Sequence, residues 1–227
     1  MENELAELAE RALLLVPNGS RIGLGTGHAA LAFVRTLGRS VSQGFRVHGV
    51  PTSEATAQLA KSLGIPLDTL DADEPLELTV DGADEVEEKT LYLIKGWGGA
   101  LLRERVVAAA SKRQVILVTK EKIVPRIGTR GKLPVEVLPF AEPLCRRRIL
   151  QLPFGLEPIV REEQGRPYVT DSGHWILDCA LQPVNDPFAL DRALRSIPGV
   201  MDTGLFLGTA SLVLVADGND VTEMKRT

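Results

Sequence analysis

The chain is poor in residues that would mark several function classes. It holds 2 cysteines, Cys145 and Cys179, in 227 residues. They lack the CxxC spacing of a metal or redox site, and one pair is a meagre disulfide framework. Both read as buried thiols of a cytoplasmic protein. The 3 histidines, His28, His48 and His174, form no i, i+4 pair. His48 lies in an apolar stretch and reads as a core histidine; His174 begins a strand and is assigned no role. No apolar run reaches the roughly 18 residues of a membrane span. The opening MENELAELAERALLLV is acidic and amphipathic, without the basic start of a secretory signal. Positive charge is not in excess: 26 Lys and Arg stand against 30 Asp and Glu, a net −4. That balance argues against a nucleic-acid partner but allows a small anion at a local basic site. No internal repeat or low-complexity segment is visible.

What is present is ordinary in bulk and specific in order. Apolar residues make up 44% and charged residues 25%, as in globular proteins. The length suits one large domain, alone or with a smaller companion. Residues 3–16 set Leu5, Leu8, Ala12 and Leu15 at helical spacing, ended by Asn18-Gly19. RIGLG (21–25) reads as a buried strand, HAALAFVRTL (28–37) as a helix and FRVHGV (45–50) as a strand. Thr52 or Ser53 is placed to cap the helix EATAQLAKSL, which Gly64 stops. LELTVDGAD (76–84) and LYLIKG (91–96) read as strands, GALLRERVVAAASK (99–112) as a helix and QVILVTK (114–120) as a strand. Such alternation implies a mostly parallel, Rossmann-like α/β sheet. After about residue 130 the order becomes β-α-β-β-α-β, the pattern of a small ferredoxin-like α+β unit, and SLVLVA (211–216) is placed to rejoin the first sheet. The expected domains are 1–130 plus 206–227, and 131–205.

Three unusual stretches fall at expected strand ends, where open α/β sheets bind ligands. GLGTGHAA (23–30) has GxGxG spacing rather than the dinucleotide GxGxxG. Its backbone N–H groups either only make a tight turn or cradle an anion at a helix start. DGAD puts Asp81 and Asp84 where a strand tip holds carboxylates rigidly for acid–base work; the plain alternative is a solvated Asp-Gly turn. KGWGGALLRE places Lys95 at a strand end, then three glycines, then a helix. On that helix Leu101, Glu104, Val107 and Ala108 share a face, so Glu104 lies in an apolar stripe. Pairing with Arg103 or Arg105 is poorly favoured, because adjacent helix positions diverge. A carboxylate in low-polarity surroundings suits a general base.

This ordered set of GTG, PTSEAT, VDGADE, KGWGGALLRE, LPVEVLPF, WILD and GVMDTGLF resembles the A-type ribose-5-phosphate isomerases along nearly the whole chain. The resemblance implies interconversion of ribose 5-phosphate and ribulose 5-phosphate in the non-oxidative pentose phosphate pathway, without metal or organic cofactor, through an enediolate. By position, Glu104 becomes the base between C1 and C2, and Lys95 the partner of the developing oxyanion. Asp81 and Asp84 assist ring opening and hydroxyl proton traffic. Substrate contacts are implied for Thr26, Gly27, His28, Ala29, Gly82, Ala83, Gly96, Trp97 and Gly98, with Lys122 on the phosphate side. The family usually assembles as dimers or tetramers, so a homodimer or homotetramer is implied.

Several positions depart from the family, among them Thr119, which replaces an acid common three residues before the family lysine. His28-Ala29 replaces the usual Ser-Thr, removing two hydroxyl donors worth roughly 1.5–3 kcal/mol each toward a charged group. Either a protonated His28 takes over part of that contact, or His28 packs or caps locally while backbone amides and Lys122 suffice; a cation at a helix N-terminus is disfavoured. Trp97 stands where many relatives have glycine, and either walls the site, sits at a subunit contact or packs. An amino-sugar phosphate deaminase of related fold and a non-catalytic sugar-phosphate sensor are the competing readings. The sensor lacks room for a helix-turn-helix domain in the roughly 20 residues before the first strand.

Overall fold

The computed structural model describes residues 2–70, 74–218 and 220–226. The chain forms two compact units: one of residues 1–83, 103–123 and 209–227, the other of 84–102 and 124–208.

The first unit is built on a six-stranded sheet. Across it run Asp220–Met224, Ala210–Asp217, Gln114–Thr119, Leu78–Gly82, Ser20–Leu24 and Val47–Pro51. All neighbours are parallel except the pair Ala210–Asp217 and Asp220–Met224. The strand Gln114–Thr119 is buried along its whole length, which is why QVILVT reads as a continuous rather than alternating run. Helix Glu2–Leu13 ends before Pro17, earlier than Asn18-Gly19. Its Leu8 and Ala12 meet Phe33, Val34 and Leu37 of helix His28–Ser42 in the main core. Each large apolar side chain buried there contributes about 1.5–3 kcal/mol. Ser53 is the cap of helix Glu54–Ser62, its hydroxyl accepting the Thr56 N–H at 3.1 Å, and Gly64 follows at φ +71°. From Ser20–Leu24 the chain goes to the sheet edge, then returns to the other side of that strand as Leu78–Gly82. That reversal is the topological switch point where open α/β sheets bind ligands.

His48 is not a core residue. It lies on the edge strand Val47–Pro51, where alternation buries Val47 and turns His48 outward. Its Nδ1 lies 3.1 Å from Asp68 Oδ1 at the surface.

The second unit contains a four-stranded antiparallel sheet in the order Val200–Thr203, Lys132–Val137, Trp175–Ala180, Glu157–Val160. With helices Glu142–Leu150 and Pro187–Arg195 between strands, this is the ferredoxin-like arrangement. Leu133, Val135, Val137, Leu177 and Cys179 pack with Cys145, Ile149, Leu190 and Leu194. Asp178, which alternates with Leu177 and Cys179, belongs to the opposite face.

The reading of 91–96 as a strand of the parallel sheet is overturned. The parallel strand stops at Gly82, and Glu85–Glu87 instead pairs antiparallel with Leu93–Ile94, which pairs antiparallel with Leu205–Phe206. The cause is a tight turn: Leu91 sits at φ +56°, its N–H binds Glu87 O at 2.9 Å, and the Tyr92 N–H binds Thr90 Oγ1 at 3.2 Å.

Candidate active site

Within the first unit, two of the sequence-predicted stretches meet at the switch point. Asp81 Oδ1 accepts the Thr26 N–H at 3.1 Å and the Gly82 N–H at 2.8 Å. Gly25 N–H binds Val80 O at 2.9 Å, and a Cβ at Gly25 would collide with the Asp81 carboxylate. The loop therefore needs glycine here for close approach, not for a dinucleotide. Thr26 is committed on both its donors. Its hydroxyl joins Thr52 Oγ1 (2.7 Å) and Ser53 Oγ (2.9 Å), while Thr52 donates to Leu24 O and Thr56 to Gly25 O. The hydroxyls of PTSEAT thus anchor the loop.

Beyond Thr26, Gly27 takes φ +96° as N-cap of helix His28–Ser42, no side chain caps that helix, and no acid occupies its first turn. The positive end of the helix dipole and its first N–H groups are left for an anion. His28 is exposed, and among the described residues its side chain makes no hydrogen bond or ion pair, so it neither caps nor packs. Ala29 is buried. Two strands away, Lys122 follows Gln114–Thr119 and donates to Ala83 O at 2.8 Å. The carboxyl ends of three adjacent strands thus carry Gly27–Ala29, Asp81–Ala83 and Lys122.

Glu104 is 5% exposed on helix Leu101–Ala109, with Val107 buried one turn on. The helix runs back along the sheet, since Leu76 exchanges backbone bonds with Ala110 and Lys112 near the start of Leu78–Gly82. Glu104 lies six residues before Ala110, roughly 9 Å along the axis, toward the strands' carboxyl ends. A Cβ at Gly23 would strike Val107 and Thr79, so Gly23 lets the helix approach the sheet. Arg103 binds Glu54 at 2.8 Å on the surface; it is therefore engaged away from the stripe that holds Glu104.

Within the second unit the structure assembles Asp84, Lys95, Gly96, Trp97 and Gly98. Lys95 is 2% exposed, its N–H binds Gly204 O at 2.9 Å, and its ammonium lies 5.6 Å from the centre of the Phe206 ring. Asp84 Oδ2 accepts the Trp97 N–H at 2.9 Å. Gly96 (φ +100°) and Gly99 (φ +85°) take the left-handed turns, leaving Trp97 an ordinary backbone. The Trp97 ring is flanked by Lys132 (4.7 Å) and Arg130 (5.2 Å), and its Nε1–H donates to Lys132 O. The Trp97 ring is thus held by contacts within its own unit.

Residues 48–220 match the family model Ribose 5-phosphate isomerase A (phosphoriboisomerase A). The chain belongs to this family. It is 50% identical to the ribose-5-phosphate isomerase A of Roseiflexus castenholzii over 96% of this chain and 93% of that one. The solved ribose 5-phosphate isomerase A of Methanocaldococcus jannaschii is similar at 36% identity and TM-score 0.93, covering 99% of both chains. A D-ribose-5-phosphate isomerase solved in complex with phospho-erythronic acid is similar at 31% identity and TM-score 0.94, covering 99% of both chains. The protein is an isomerase of the family that interconverts ribose 5-phosphate and ribulose 5-phosphate, and the deaminase and sensor readings are set aside.

Sequence reasoning missed several polar residues of this isomerase. Arg161 and Asp178 form a two-point ion pair beside the Gly96 and Trp97 carbonyls. Glu136, 1% exposed, accepts from Thr170 Oγ1 at 2.9 Å, lies 3.0 Å from His174 Nδ1, and is bound by the Leu102 amide. Burial pushes its carboxyl above the ordinary range, while His174 and Thr170 pull it partly back. His174 thus has a partner the sequence did not give it. The one available signal was an acid alternating with core residues in each of two strands, in LPVEVLPF and WILD, which reads most simply as facing solvent.

Proposed function

We propose that the isomerisation proceeds by proton transfer through an enediolate, with Glu104 as base and Lys95 as oxyanion partner. The observation that carries this reading is the burial of Glu104 on a helix face directed toward the strand ends. In the forward direction the Glu104 carboxylate takes the proton from C2 of the open-chain aldose. The C2–H electron pair forms the C1–C2 double bond, and the C1 carbonyl oxygen becomes an oxyanion that the Lys95 ammonium stabilises. The proton returns to C1, the O1 oxyanion takes up the proton that O2 gives up, and C2 becomes the carbonyl. Asp81 and Asp84 serve ring opening and the hydroxyl protons; Gly82, Ala83, Gly96, Trp97 and Gly98 border the substrate. No metal is needed, because the ammonium supplies the charge a metal would.

The phosphate is taken by the amides of Gly27, His28 and Ala29, with Lys122 on the same side. Thr26, its donors spent, positions this loop rather than binding. Phospho-erythronic acid, on a relative, supports the assignment chemically: it joins a phosphate to a carboxylate that resembles the charge of an enediolate. The reaction belongs to the non-oxidative pentose phosphate pathway, and the working form is a homodimer or homotetramer. Glu104→Gln tests the base: kcat should fall about 100- to 10,000-fold while substrate still binds. A near-normal kcat would remove Glu104 from the role.

A further inference from the structure

The face of the ferredoxin-like sheet opposite helices Glu142–Leu150 and Pro187–Arg195 carries part-buried charge where solvent or apolar packing would be expected. Asp178 pairs in register with Ile159, so Arg161, two residues on, is its diagonal neighbour on the same face. The Arg161 side chain is 12% exposed. Its Nε and Nη2 fork onto the two Asp178 oxygens at 2.9 and 2.6 Å. Its Nη1 donates to Gly96 O at 3.1 Å and to Trp97 O at 3.0 Å. The Tyr168 ring lies 5.7 Å from the guanidinium carbon, and a Cβ at Gly99 would run into the same tyrosine.

The Asp178 side chain is 21% exposed, so the pair is part-buried, and such a pair seldom out-stabilises apolar residues of the same size, because each ion gives up hydration to form it. Stability alone therefore does not account for this pair. What it accomplishes is geometric. The Lys95 N–H is tied to Gly204 O and the Trp97 N–H to Asp84, and with its fork seated on Asp178 the guanidinium turns Nη1 onto the two carbonyls that follow Lys95. Lysine cannot match this, since its point charge lacks the planar fork.

We propose that Arg161, oriented by Asp178, is a positioning residue for the isomerisation: it holds the Gly96 and Trp97 peptides and so fixes the direction of Lys95. This rests on Lys95 acting at the oxyanion. The test is steady-state kinetics on the full chain with ribose 5-phosphate, with melting curves for each variant. Arg161→Lys should fold and lose about 100-fold in kcat, with KM changed less than about threefold. Arg161→Ala should regain about tenfold in kcat on addition of methylguanidinium, and Arg161→Ala with Asp178→Asn should not. Because Arg161 acts through Lys95, Lys95→Met with Arg161→Lys should be no slower than Lys95→Met alone. If Arg161→Ala fails to fold, the lysine variant and the double variant decide. An inactive Lys95→Met beside a fully active Arg161→Lys overturns this inference alone. So do multiplicative losses in the double variant. A fully active Lys95→Met instead overturns the oxyanion reading on which it rests.

Discussion

Gly25 and Asp81 lie so close that a single methyl group on Gly25 would occupy the space of the Asp81 carboxylate and strike the Asp81 Cα. Gly25→Ala must therefore push Asp81 off the Thr26 and Gly82 amides. The expected cost is about 1–3 kcal/mol of stability, as for other overpacked sites. Activity at temperatures where the variant is folded should fall as well. Melting and kinetics on one preparation check both; unchanged Tm and kcat would show that the loop gives way freely.

The two units differ in how far the sequence discloses them. The parallel sheet follows from long apolar runs, capped helices and glycine stops, each a local signal. Glu85–Glu87 and Leu93–Ile94 are too short to show any period, and the turn between them rests on Leu91 at φ +56°, a conformation its side chain does not advertise. Arg161 and Asp178 become neighbours only through strand register, which no local pattern encodes. Thr26, Asp81, Lys95 and Glu104 stand out as candidates because each lies in a stretch whose composition makes poor sense as packing alone. His48 misled because a strand at a sheet edge has an outer face.

His28 stands exposed at an uncapped helix start, the place proposed for the phosphate, where a positive side chain is disfavoured. His28→Ser supplies the hydroxyl that the family resemblance implies at this position. KM for ribose 5-phosphate is expected to fall or hold, with an unaltered dependence on pH between about 5.5 and 8. A KM that rises and loses its pH dependence would assign the contact to a protonated His28.

Glu136 gives stability a pH dependence opposite to that of a surface ion pair. Burial raises its carboxyl above the ordinary 4.5, so the folded state binds the proton more tightly than the unfolded chain. That contribution is full below 4.5 and is lost as pH climbs through the raised value. Glu54, lowered by its hydrogen bond and charge contact with Arg103, loses its contribution on acidification instead. Thermal melts from pH 4 to 8 should show wild type losing stability relative to Glu136→Gln as pH rises. A difference flat in pH would mean that Glu136 titrates as it does in the unfolded chain.

Conversion of ribose 5-phosphate to ribulose 5-phosphate by the purified chain, with and without excess chelator, tests the central claim most directly. Rapid turnover is expected, at a rate the chelator leaves unchanged. Absent turnover would contradict the assigned reaction, and turnover abolished by chelator would contradict proton transfer by Glu104 and Lys95 without a metal.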